Sequence, residues 1–134
     1  MKNLINKSLL FVMAFVVCSS VFGQDVQGTT DKIAGCIKTG NAKELASYFH
    51  TNIELTVLDN DGTYSKSQAE IIMRDFFVKN PPNSFTVNHK GASKDQTQFF
   101  IGSYKTSNNQ ELRIYILLKT YSDKLFIQQL QIQE

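Results

Sequence analysis

The chain is poor in cysteine, glycine, proline and net charge, and each shortage removes a class of answers. Two cysteines, Cys18 and Cys36, cannot build a disulfide framework. Its 7 glycines form no phosphate-cradling loop, and no Gly-x-Ser-x-Gly elbow presents a nucleophile. The 2 prolines are adjacent, Pro81 and Pro82, and no linker, repeat or low-complexity tract divides the chain. Lys+Arg total 14 against 12 Asp+Glu, without the basic patch of a nucleic-acid binder. At 134 residues the chain fits one domain and is short for a doubly wound nucleotide-binding fold or a barrel of eight βα units.

The first 23 residues read as an address. Lys2 and Lys7 supply a positive start, and Leu9–Cys18 is an apolar run of ten residues, a signal-peptide core too short to cross a ~30 Å hydrocarbon layer. Ser19 and Ser20 end the run, and Val21-Phe22-Gly23 places cleavage before Gln24. Acylation at Cys18 is the rival reading; Val17 and Phe15 are unusual before a lipoprotein cysteine, so a soluble exported product is expected, with no stable membrane span after cleavage. Lys2 and Lys7 account for the whole charge excess, which leaves residues 24–134 neutral, with Cys36 as their one cysteine.

Helical spacing begins near Thr30, where Ile33, Cys36 and Ile37 make one apolar face up to Thr39, and Gly40 ends it. Asn41 and Glu44 then stand as a capping pair for a short helix with Leu45, Ala46 and Phe49 as its stripe. Asn52–Leu58 alternates as a strand, and Asp59-Asn60-Asp61-Gly62 marks a turn in which Gly62 can take positive φ, with a short strand from Thr63 to Ser65. Ser67 and Glu70 cap a third helix whose Ala69, Ile72, Met73, Phe76 and Phe77 share one face, stopped at Asn80-Pro81-Pro82. After Pro82 the pattern is alternation: a strand around Phe85–Lys90, another over Thr97–Thr106, then Leu112–Lys119 and Phe126–Gln133, separated by Ser107–Gln110 and Ser122–Lys124.

This order predicts an α+β fold in which three amphipathic N-terminal helices cover a curved, mostly antiparallel sheet. The arrangement resembles the nuclear transport factor 2-like cone shared by ketosteroid isomerase and scytalone dehydratase. Four segments, Gly40–Phe49 (GNAKELASYF), Tyr64–Glu70 (YSKSQAE), Asp75–Pro82 (DFFVKNPP) and Phe126–Leu130 (FIQQL), resemble a secreted Bacteroidetes family known as domain of unknown function 4783. That resemblance implies the fold, a single domain over residues 24–134 and an exported, periplasmic or extracellular location; it carries no established catalytic residues.

Chemistry-bearing groups are sparse. His50 and His89 fall on different elements without neighbouring cysteines or clustered acids, so no metal site and no cofactor are expected. Placing Gly62 at the glycine of a calcium loop puts Val57 and Gln68 at ligand positions, which fails. Cys36 on an apolar stripe reads as core. Isomerase chemistry of the ketosteroid type needs inward carboxylates, whereas the inward set Leu112, Ile114, Ile116 and Leu118 is apolar, Glu54 faces away, and Tyr48 alone could reach a cavity. No catalytic residues are therefore assigned.

Two functional readings follow. The first is a binding domain that self-associates as a homodimer through an outer sheet face carrying Tyr104, Arg113, Tyr115, Lys119 and Gln129, with Leu117, Tyr121, Ile127, Gln131 and Gln133 beside them; tyrosine, arginine and aliphatics together are typical of interface cores. The second is a carrier or small isomerase-like or dehydratase-like enzyme holding a small apolar ligand in a cavity lined by Ile33, Phe49, Phe76, Ile114, Ile116 and Leu130.

Overall fold

The computed structural model describes residues 24–93, 95 and 97–134. The expected leader at 1–23 and Cys18 lie outside them. Helix α1 spans Gln24–Thr39, starting earlier than the apolar spacing indicates. Its first turns are polar and show no stripe; they are tied by i, i+4 bonds, Thr30 Oγ1 donating to the Val26 carbonyl at 3.0 Å and Gln27 Nε2 to Asp31 at 3.0 Å. Gly40, at φ +68°, closes the helix: its N–H donates to Ile37 O and that of Asn41 to Cys36 O, the paired bonds of a Schellman ending.

Helix α2, Ala42–Ala46, is capped by Asn41, whose side chain accepts from Glu44 N at 3.1 Å and donates to the Glu44 carboxylate at 3.1 Å. Phe49, expected on this helix, instead opens strand β1, Phe49–Val57. Strand β2, Asn60–Ser65, folds back on β1 with Val57 opposite Asn60. The turn is thus Leu58-Asp59, and Leu58 takes the positive φ of 54° that the sequence reading gave to Gly62, which sits within β2 opposite Leu55.

Helix α3, Lys66–Lys79, is capped by Ser65 and Gln68, two residues before the expected Ser67 and Glu70. Both pairs have capping-box spacing; Ser65, the last residue of β2, has the extended backbone that a cap requires. The other strands are β3 (Pro82–Ala92), β4 (Thr97–Thr106), β5 (Glu111–Tyr121) and β6 (Lys124–Gln133). Ser122 and Asp123, at φ 49° and 65°, make the two-residue β5–β6 hairpin.

The six-stranded sheet runs β2-β1-β6-β5-β4-β3, antiparallel except for the parallel β1–β6 pair. α1 lies against β3, and α3 lies against β1 and β2. The helices and one sheet face enclose a single apolar cluster. An α+β fold with a mixed sheet and helices is therefore present, with α3 inserted between β2 and β3.

Candidate functional site

The six residues expected to line a cavity are all in this cluster: Ile33, Ile116 and Leu130 at 0% exposure, Phe49 and Ile114 at 1%, Phe76 at 3%. Met73, Phe100, Leu112 and Leu118 fill in around them. Phe49 alone of the six also borders a surface groove, of about 600 Å³, with His50, Ser65, Lys66, Glu70 and Phe126. Among the described residues the buried polar side chains are Thr30 and Thr106, so no carboxylate is buried in the core.

Tyr104 is corrected most clearly. It was expected on the outer face, but it pairs with core-facing Leu112, is fully buried, lies 5.6 Å from the Phe76 ring, and its hydroxyl donates to Asn80 O at 2.5 Å. Burial pushes its phenol above the usual range. The bond ties β4 to the end of α3, a structural use of the hydroxyl.

Ile127 is the second correction. Leu117 pairs with Gln129 and Leu118 with Ile127, so Gln128 is an extra residue, a bulge. The bulge reverses the alternation: Ile127 turns into the core at 0% exposure and Phe126 shares the outer face with Lys119. The remaining expected surface residues, Arg113, Tyr115, Lys119 and Gln129, do lie together on the outer face.

Two cross-strand rows order that face. One runs Thr63, Glu54, Gln129, Leu117, Phe99, Gly91 from β2 to β3; the next runs Asp61, Thr56, Gln131, Tyr115, Ile101, His89. Both change from hydroxyl and carboxylate through amide to apolar. The β4–β5 portion is a contiguous half-buried patch of Phe99, Ile101, Tyr115 and Leu117, with Phe99 and Tyr115 stacked at 6.1 Å and His89 6.0 Å from Phe99. Gly91 leaves room for Phe99: a Cβ there would meet its ring at 2.3 Å. Phe99 and Ile101 are not among the surface residues expected from the sequence, although their alternation is the available signal.

A second aromatic group sits at one end of β5. His50 stacks on Tyr121 at 4.0 Å and lies 5.8 Å from Phe126, with Lys119 Nζ 5.7 Å above the Tyr121 ring. His50 and His89 thus belong to separate aromatic groups.

Cys36 is buried, and burial together with Glu44 pushes its thiol up to about 11. Tyr48, partly buried against the core, is raised by burial first, then by Cys36 and Glu44. A thiol held neutral is a poor nucleophile. Glu44 itself is exposed, so Tyr48 has no buried carboxylate partner.

The family model for "Domain of unknown function (DUF4783)" matches residues 30–133. The chain is similar to a DUF4783 family protein from Bacteroides uniformis, at 30% identity and TM-score 0.72, covering 78% of this chain and 94% of that one. It is also similar to a DUF4783 family protein from Bacteroides ovatus, at 29% identity and TM-score 0.71, covering 76% and 91%. At 16% identity, Rd1NTF2_04 with long sheet matches with TM-score 0.63, covering 79% and 97%, a likeness of nuclear transport factor 2-like fold. No curated protein matches. The chain belongs to the DUF4783 family and has the nuclear transport factor 2-like α+β fold.

Proposed function

We propose that this DUF4783 protein is an exported interaction domain that self-associates through the outer face of its sheet. One observation carries the reading: Phe99, Ile101, Tyr115 and Leu117 are direct cross-strand neighbours, half-buried, and not among the side chains packed on the core. Single exposed apolar residues need no explanation, whereas a contiguous patch of them marks an interaction surface. Arg113 and Lys119 flank it on β5, and tyrosine and arginine are among the residue types enriched at protein interfaces. Residues 24–134 are neutral, so electrostatic attraction is a weak source of association and apolar contact the stronger one. A homodimer is the partner chosen, since an isologous contact satisfies the patch with the chain's own copy.

Export rests on the composition of residues 1–23. No helix among the described residues is long and apolar enough to cross a membrane, and the similar family structures come from Bacteroides. The carrier reading has less support, because its six lining side chains occupy the core at 0–3% exposure.

Light scattering over a concentration series tests the pairing. A dimer mass at high micromolar concentration is expected, lost in Tyr115→Glu with the fold retained. A strict monomer throughout overturns the proposal.

A further inference from the structure

The β1–β2–β6 part of the outer face has a different character from the apolar patch and does not take part in the argument for pairing. Glu54, Thr56, Asp61, Thr63, Gln129 and Gln131 line a surface groove of about 330 Å³ together with Gly62. They form the polar ends of the two rows: Thr63, Glu54, Gln129 in one and Asp61, Thr56, Gln131 in the other. Neighbouring strands lie ~4.8 Å apart, so each row offers a polar group at steps comparable to a single sugar ring. Thr56 Oγ1 donates to Asp61 Oδ1 at 2.9 Å, which fixes that carboxylate on the floor.

The donor and acceptor inventory selects the ligand. A carboxylate accepts only, an amide donates and accepts, and a threonine hydroxyl does either. That mixture answers the hydroxyls of a sugar, each of which is both donor and acceptor. No lysine, arginine or histidine lines the groove, and two carboxylates do, which disfavours phosphates, acidic glycans and nucleic acids. Each row continues directly into an apolar side chain, Gln129 facing Leu117 and Gln131 facing Tyr115. A ring with one hydroxylated edge and one C–H face meets both kinds of surface there, with the Tyr115 ring available to the C–H face.

We propose that this groove binds a neutral carbohydrate chain running across the strands, from the β2 edge toward Tyr115. The sugar hydroxyls are held by Glu54, Asp61, Gln129 and Gln131, and the C–H face rests on Tyr115 and Leu117. Tyr115 and Leu117 also belong to the patch proposed for self-association, so the two contacts share that edge, whereas Glu54, Asp61, Gln129 and Gln131 lie outside the patch and their loss reads on carbohydrate alone.

The test is a titration of the isotope-labelled protein with cellohexaose, maltohexaose and mannohexaose, followed by amide chemical shifts, with a hexamer of galacturonic acid as the acidic arm. Saturable binding by at least one neutral hexaose is expected, with Kd of about 1 mM or tighter and the shifts centred on β1, β2 and β6. Gln131→Ala and Glu54→Gln, both on the solvent side, each weaken it by about tenfold, and Thr63→Ala does so less, at an unchanged melting temperature. The absence of saturable shifts with all three neutral hexaoses overturns the proposal. So do stronger binding of the acidic hexamer, shifts confined to the β3–β4 side, or unchanged affinity in both Gln131→Ala and Glu54→Gln.

Discussion

The two faces of the sheet are built from the same strands and answer to different demands. On β5 the inner residues Leu112, Ile114, Ile116 and Leu118 are 0–1% exposed, while Arg113, Tyr115, Leu117 and Lys119 alternate with them on the outside. The inner face is apolar from β1 to β4 except for buried Thr106 at the end of β4, as close packing under the helices requires. The outer face is graded, polar over β1–β2 and apolar over β4–β5. Packing accounts for the first face entirely. It gives no reason for a gradient on the second, so the gradient is where function is sought.

This contrast can be broken from either side. The largest effect belongs to the inner face: Phe100→Ala removes a ring that is 1% exposed, and should cost about 3–5 kcal/mol in a denaturant titration. Gly102→Ala comes next. The added carbon would meet the Phe85 ring at 2.5 Å and the Thr86 carbonyl at 2.7 Å, and because one obstacle is backbone, a loss of about 1–3 kcal/mol is expected. Tyr104→Phe leaves the Asn80 carbonyl without its hydroxyl donor and should cost about 1 kcal/mol.

Cys36 yields a pH-dependent prediction. Its thiol ionises near 9.0 when free and near 11 in the fold, so the native state retains a proton that the unfolded chain releases. Stability is unaffected below the unfolded value and declines as pH rises from there toward 11. Cys36→Ala should flatten that decline in melting temperature, and native Cys36 should resist alkylation at pH 8 until the chain unfolds. The smallest stability effect belongs to the outer face: at concentrations where the parent is monomeric, Tyr115→Glu should cost no more than about 1 kcal/mol, the worth of its cross-strand stack on Phe99, while abolishing the dimer. A large destabilisation there would show that the outer patch serves the fold, and the contrast between the faces would fall.

Local signals in the sequence carried the fold a long way. Asn41–Glu44 capping, the stop at Asn80-Pro81-Pro82 and the four strands after it all depend on neighbours within a few residues, and all are present. The failures have one cause, choices made by distant partners. Ser65 and Ser67 are equal candidates for a cap until the end of β2 selects Ser65. Tyr104 faces inward because Leu112 does, and nothing within β4 alone states it. The bulge at Gln128 is invisible in a segment that alternates acceptably in either phase, yet it decides whether Ile127 or Phe126 enters the core. The candidate surface suffered most, since face assignment is a parity, and one extra residue inverts it.

The position of β6 bears on how the chain assembles. It is the last strand in sequence, but it lies in the interior of the sheet, between β1 and β5. Without it, the β1–β2 hairpin and the β3–β4–β5 meander share no edge. The Leu55–Leu130 pairing therefore joins the two parts of the sheet across most of the chain, a long loop to close before the main core gains its cover. Folding of this protein should be slow for its size and all-or-none, since neither part of the sheet has its full core until β6 pairs with both.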